Sequence, residues 1–146
     1  MSRGADLSTV HQGALTLKEV VRIAAEGASA AQFRHGPIEI INTAHRYMVI
    51  ARKDLLRPRG KTSSTGKFLL GLAEEIRSRG GRVLLFTDLA AQEAANMRIL
   101  RVETARLGMG TLIDSLHIQL MAHELALRAG LEPGKFWIAE EVTRVE

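Results

Sequence analysis

At 146 residues the chain has the length of one domain burying a single core, and with 46% apolar but only 4% aromatic residues that core must be built from Leu, Ile, Val and Ala. The formal net charge of +4 attracts anions but is spread along the chain rather than gathered into a nucleic-acid-binding stripe, and the absence of cysteine excludes disulfides, thiol nucleophiles and thiolate metal sites. No apolar leader opens the sequence and no segment reaches the roughly 18 apolar residues of a membrane span, so a soluble cytoplasmic protein with no membrane or nucleic-acid partner is expected.

Ser8 or Thr9 can cap a helix running to Gly27, with Val10, Leu17, Val20, Val21 and Ala24 on an apolar face and Gln12, Glu19 and Glu26 recurring every seven residues on another. Ser29 and Gln32 have the spacing of a capping box for a short helix carrying Phe33; Gly36 breaks it, and Pro37 suits the first turn of the next short helix. His35 therefore sits between helices, held by backbone geometry on both sides.

Tyr47 to Ala51 reads as a buried strand, and Leu55 to Ser64 as an Arg-, Gly- and Ser-rich loop. Phe68, Leu69, Leu72 and Ile76 repeat at helical spacing as far as Gly80 and Gly81. Arg82 to Asp88 is a second strand, a short Ala-rich helix is expected after it, and Ile99 to Val102 is a third strand. A last long helix spans about Thr111 to Ala129, stopped by Gly130 and Pro133. Apolar strands separated by helices predict an α/β three-layer sandwich around a parallel sheet. The tail from Gly134, with Trp137, is apolar enough to pack on the domain or on a partner.

Several motifs resemble the sugar-isomerase (SIS) domain family, and in particular the C-terminal SIS domain of glutamine-dependent fructose-6-phosphate aminotransferases. Gln12-Gly13-Ala14-Leu15-Thr16-Leu17-Lys18-Glu19 is similar to the family's EGALKLKE, and Gln32-Phe33-Arg34-His35-Gly36-Pro37 to its ELKHGP, with no gap needed between them. EEIRSRGGRVLLFTD, IQLMAHELALRAGLEP and the terminal VTRVE match later family segments, so the resemblance spans nearly the whole chain. It implies a SIS fold lacking its first strand, because Ser2-Arg3-Gly4 falls where that strand ends in the family. Residues 1–146 are thus expected to be one incomplete domain.

The resemblance also implies chemistry. Ketose/aldose interconversion needs a base that moves a proton between C1 and C2 and an acid/base that opens the ring; by motif position these are Glu19 and His35, with Gln12 and Thr16 as sugar-binding positions. It further implies a phosphosugar ligand and sites shared between subunits, hence a homodimer or pairing with another SIS domain. Read without the resemblance, Glu19 is a solvated helix carboxylate and His35 a residue capping a backbone carbonyl.

Three departures count against full amination activity. Gln12 replaces a glutamate and cannot act as a carboxylate base. Thr16 replaces a lysine, and the stretch Ala139-Glu140-Glu141-Val142 carries carboxylates where the family has a lysine able to form a Schiff base. A non-catalytic sugar-phosphate-binding or structural module is the alternative function. No cofactor or metal is expected: His117 and His123 are six apart on one helix. Ser63 to Lys67 lacks P-loop spacing, and Arg57, Arg59 and Lys61 could attract an anion, although an ordinary solvated loop would look the same.

Overall fold

The computed structural model describes residues 1–53, 64–102, 109–136 and 138. Three parallel strands, β1 (Arg46–Ala51), β2 (Arg82–Thr87) and β3 (Met97–Arg101), form a sheet in the order β1-β2-β3. Alternation along each strand sends side chains to two faces. Tyr47, Val49, Ala51, Val83, Leu85 and Met97 face helix α3 (Ser64–Ser78), which contributes Leu69, Leu72, Ala73 and Ile76 to this core. Ile50 and Phe86 face the other way, toward Val10 of helix α1 (Leu7–Thr16) and Ile118 of helix α4 (Met109–Arg128). Helices thus cover both faces of the sheet, as the alternation of apolar strands and helical patterns predicts.

Residues 1–2 occupy the free edge of β1. The Ile50 N–H donates to Met1 O at 3.0 Å, the Ser2 hydroxyl to Ile50 O at 2.8 Å, and on the other side the Ala30 N–H donates to Ser2 O at 2.9 Å. The position assigned by sequence to a first strand is therefore held by two residues, bonded both to β1 and to the Ser29 segment. The Met1 amine donates to Met48 O at 2.6 Å, and its burial pushes its pKa down to about 5 from an ordinary 8.0.

Two expectations are corrected. The first helix does not run to Gly27: α1 passes into a π-helical turn, Leu17–Val21, which ends at Arg22 in the left-handed region (φ 60°). Gly27 serves close approach instead, since a Cβ there would lie 3.1 Å from both His11 Cα and Val10 O, backbone atoms that cannot give way. Nor is there a helix between β2 and β3. Residues 88–96 form turns and extended chain, with Arg101 donating to Leu89 O and Ala91 O and the Ile99 N–H bonding Glu93 Oε1 at 3.0 Å. Alanine's helix propensity is overridden by these tertiary bonds.

The remaining elements follow the sequence. Ser29 is the N-cap of helix α2 (Ala30–Arg34), though without a side-chain capping bond, and Pro37 opens a 3₁₀ turn, Pro37–Ile40. The loop expected over Leu55–Ser64 lies outside the described residues up to position 63, as do Trp137 and the tail from 139 onward.

Candidate active site

The QGALTLKE segment is built on α1 and the π turn. Gly13 is buried where α1 crosses α4, and a Cβ on it would meet Ile118 Cδ1 at 3.1 Å, so the motif glycine is a packing requirement. Leu17 and Val21 anchor the π turn by packing with Ala122 of α4. The Arg22 N–H reaches back to Leu17 O, an i→i+5 bond that fits one extra residue into the turn. The turn closes the helix at its carboxyl end, and it carries Glu19.

Glu19 and Gln12 are exposed, whereas Thr16 is buried at the end of α1. Neither Glu19 nor Gln12 makes a side-chain hydrogen bond or ion pair with another described residue. A depression of about 510 Å³ lies beside the turn, lined by Lys18, Ala24, Ala25 and Glu26.

His35 is the C-cap of α2, its backbone set by the N–H bond to Gln32 O at 3.0 Å and by Gly36, whose φ of 148° suits glycine. Its neighbour Arg34 is tied to α3 by a 2.5 Å ion pair with Glu75 and by stacking over Phe68 at 5.4 Å. The imidazole itself is exposed and bonds no described side chain. No hydrogen bond or ion pair within the chain joins Glu19 to His35 among the described residues. The stretch 139–142, which carries carboxylates where the family has its Schiff-base lysine, lies outside them.

A second polar cluster, which the sequence reading missed, stands at the carboxyl ends of the strands. Helix α1, which follows residues 1–2, and α3, which follows β1, lie on opposite faces of the sheet, the arrangement at which open α/β sheets form a crevice. Arg52, just past β1, bonds Asp114 of α4 through both Nε (3.0 Å to Oδ2) and Nη2, and donates from Nη1 to Val102 O. The Asp114 side chain is fully buried and that of Arg52 is only 9% exposed. Thr111 Oγ1 donates to Asp6 Oδ1 at 3.3 Å, and the Lys53 N–H to Asp88 Oδ1 at 2.8 Å.

Burial raises the pKa of Asp114 above the usual carboxylate value, with the Arg52 bonds pulling the other way. Burial likewise raises that of Asp6, opposed by the Thr111 bond and the Arg52 charge, while Asp88 adds to the rise. The cluster was foreshadowed in one respect: Asp114 is the lone carboxylate on the otherwise apolar 114, 118, 122, 126 face of α4. Among the described residues, no three His, Asp or Glu side chains gather at metal-ligand spacing, and no helix is long and apolar enough to cross a membrane. His117 instead bonds Ile113 O of its own helix through Nδ1 at 2.7 Å.

With this geometry in hand, the chain can be set beside known proteins. No family model matches it. It is similar to the isomerizing glutamine–fructose-6-phosphate aminotransferases of Brucella abortus and Rhizobium meliloti, in each case 33% identical over 135 residues that cover 90% of this chain and 21% of the relative. Among solved structures it superposes on the C-terminal domain of glucosamine-fructose-6-phosphate aminotransferase from Francisella tularensis, with TM-score 0.77 and 21% identity over 92% of this chain and 36% of that one. Tagatose-6-phosphate ketose/aldose isomerase from Escherichia coli gives TM-score 0.72 at 21% identity, covering 91% and 36%. The fold is that of a SIS-like domain. The chain spans about a fifth of the length of the curated relatives it matches.

Proposed function

We propose that this SIS-like domain handles a phosphosugar, with Glu19 moving the proton between C1 and C2 and His35 opening the sugar ring. The reading is carried by one observation: both side chains stand exposed and unengaged on backbone that buried neighbours hold rigid, Glu19 on a π turn anchored by Leu17 and Val21, His35 on a junction braced through Arg34. A base and an acid meant for a substrate should be free of internal partners and fixed in direction. Because the two form no bond or ion pair within the chain, the site is completed across a pairing, either with a second copy or with another SIS domain. Docked sugar and partner together supply the burial that makes a carboxylate a stronger base.

A second reading, a sugar-phosphate-binding or structural module without turnover, draws on Gln12 in place of a glutamate and on Thr16 being buried. Proton exchange at C2 of fructose 6-phosphate in deuterated water separates the two. Exchange that falls about 10²–10⁴-fold in Glu19→Gln supports the enzyme. Retained sugar-phosphate binding with no exchange supports the binding module, and no binding at all leaves only the structural one.

A further inference from the structure

Three arginines stand together at the amino ends of the strands. Parallel pairing sets Arg46 of β1 directly opposite Arg82 of β2, and Arg98 of β3 opposite Leu84, two residues further along. By alternation all three belong to the sheet face that carries Ile50 and Phe86. Strand spacing and rise put the Cα of Arg82 about 5 Å from that of Arg46 and about 8 Å from that of Arg98. Like charges set opposite each other in this way work against folding.

No described carboxylate compensates them. Arg34, Arg52, Arg77, Arg79 and Arg128 each pair with an acidic side chain, whereas Arg46, Arg82 and Arg98 are exposed and pair with none among the described residues. Arg82 makes no hydrogen bond to a described residue, and Arg98 reaches Ala94 O and Met97 O only at 3.5 Å. Arg46 turns Nη1 onto the carbonyl oxygens of Thr43, Ala44 and His45, leaving Nε and Nη2 without a described partner. On the same face the cover of α1 and α4 runs out: Ile50 and Phe86 are buried, but Met48, Leu84 and Leu100 are only partly so. Guanidinium groups thus surround half-covered aliphatic side chains.

We propose that this patch docks an extended acidic segment of another protein, with one carboxylate shared by Arg46 and Arg82, a second on Arg98, and an apolar side chain against Leu84 in the angle between them. Guanidinium forks take carboxylates bidentately. An extended chain puts every second side chain on one face, ~6.6 Å apart, so acidic, apolar and acidic residues at alternate positions span the patch. Nucleic acid is the poorer fit, because its bases seek aromatic platforms and Met48, Leu84 and Leu100 are aliphatic. An anionic membrane is poorer too, because interfacial binding buries protruding apolar side chains and these three are half covered by their own fold. Glu19 and His35 take no part, so this surface and the sugar reading can fail independently.

The probe is a short fluorescein-labelled peptide with glutamate, leucine and glutamate at alternate positions and serine between them. Anisotropy should show saturable binding at about 50 mM salt, weakened at least about 10-fold at about 500 mM. Amide shifts in nuclear magnetic resonance spectra should concentrate at residues 46–48, 82–84 and 98–100. The double variant Arg82→Gln with Arg98→Gln should bind at least about 10-fold more weakly yet melt no lower than the wild type, since it removes like charges from neighbouring strands. Absent or unsaturable binding overturns the proposal, as do shifts centred elsewhere or a double variant that still binds. A double variant that melts markedly lower assigns the arginines to the fold and overturns it as well. So does tighter binding of oligothymidylate or of phosphatidylserine vesicles than of the peptide.

Discussion

The two charged regions of this domain are built on opposite terms. At the carboxyl ends of the strands, Arg52 and Asp114 are buried against each other, with Asp6 nearby; every polar atom there that leaves water finds a partner. On the π turn and at the α2 junction, Glu19 and His35 stay in water and bond nothing described. Buried charge has to be paired and so is committed to the fold, whereas exposed charge costs the fold nothing and is available to a ligand. The crevice that fold topology favours for a ligand is thus partly taken by an internal ion pair, and the candidate chemistry lies elsewhere.

The contrast can be broken most forcefully at the ion pair. Arg52→Met or Asp114→Leu alone leaves one buried charge uncompensated and should cost about 3–5 kcal/mol in urea unfolding, while the double replacement should recover most of the loss. Equal losses in single and double variants would show that packing, not charge, is at stake. A smaller effect comes from the Met1 amine. Its folded pKa of about 5 lies below the ordinary 8.0, so between these values the unfolded chain binds a proton that the folded chain does not. For a chain whose first residue is Met1, stability should therefore fall, by at most about 4 kcal/mol, as pH drops from 8 to 5. N-terminal acetylation should flatten that part of the profile, and an unchanged slope would place its origin in other groups. Least affected should be Glu19→Gln and His35→Ala, each expected to move unfolding free energy by no more than about 0.5 kcal/mol while stopping C2 exchange. A large stability loss in either would assign that residue to the fold.

Much of the architecture could be read from the sequence, because strands buried on both faces leave continuous apolar runs and α4 keeps its period for five turns. Tyr47–Ala51 and Arg82–Thr87 were visible in that way, and His35 was placed at its junction by Gly36 and Pro37. Local signals misled where a residue serves a distant contact. Gly27 looks like a helix stop but is needed for approach to Val10 and His11, and the alanines after β2 look helical but are held by Arg101. The Arg52–Asp114 pair joins residues 62 apart, so only the carboxylate on the apolar face of α4 hinted at it. Of the candidate site, residue types and backbone setting were legible. The π turn was not, because its widened bond pattern leaves no spacing signature among LKEVV.

That turn has a consequence for how the segment tolerates change. A regular helix would carry the direction of Gln12 and Gly13 through to Glu19 in fixed angular phase; the wider winding from Leu17 to Val21 puts Glu19 out of step with α1. Removing a residue between Thr16 and Glu19 would restore the regular winding and swing the carboxylate by up to about 100° around the axis, re-aiming it without altering any side chain's identity. Insertions and deletions, more than substitutions, are the changes this stretch can least absorb.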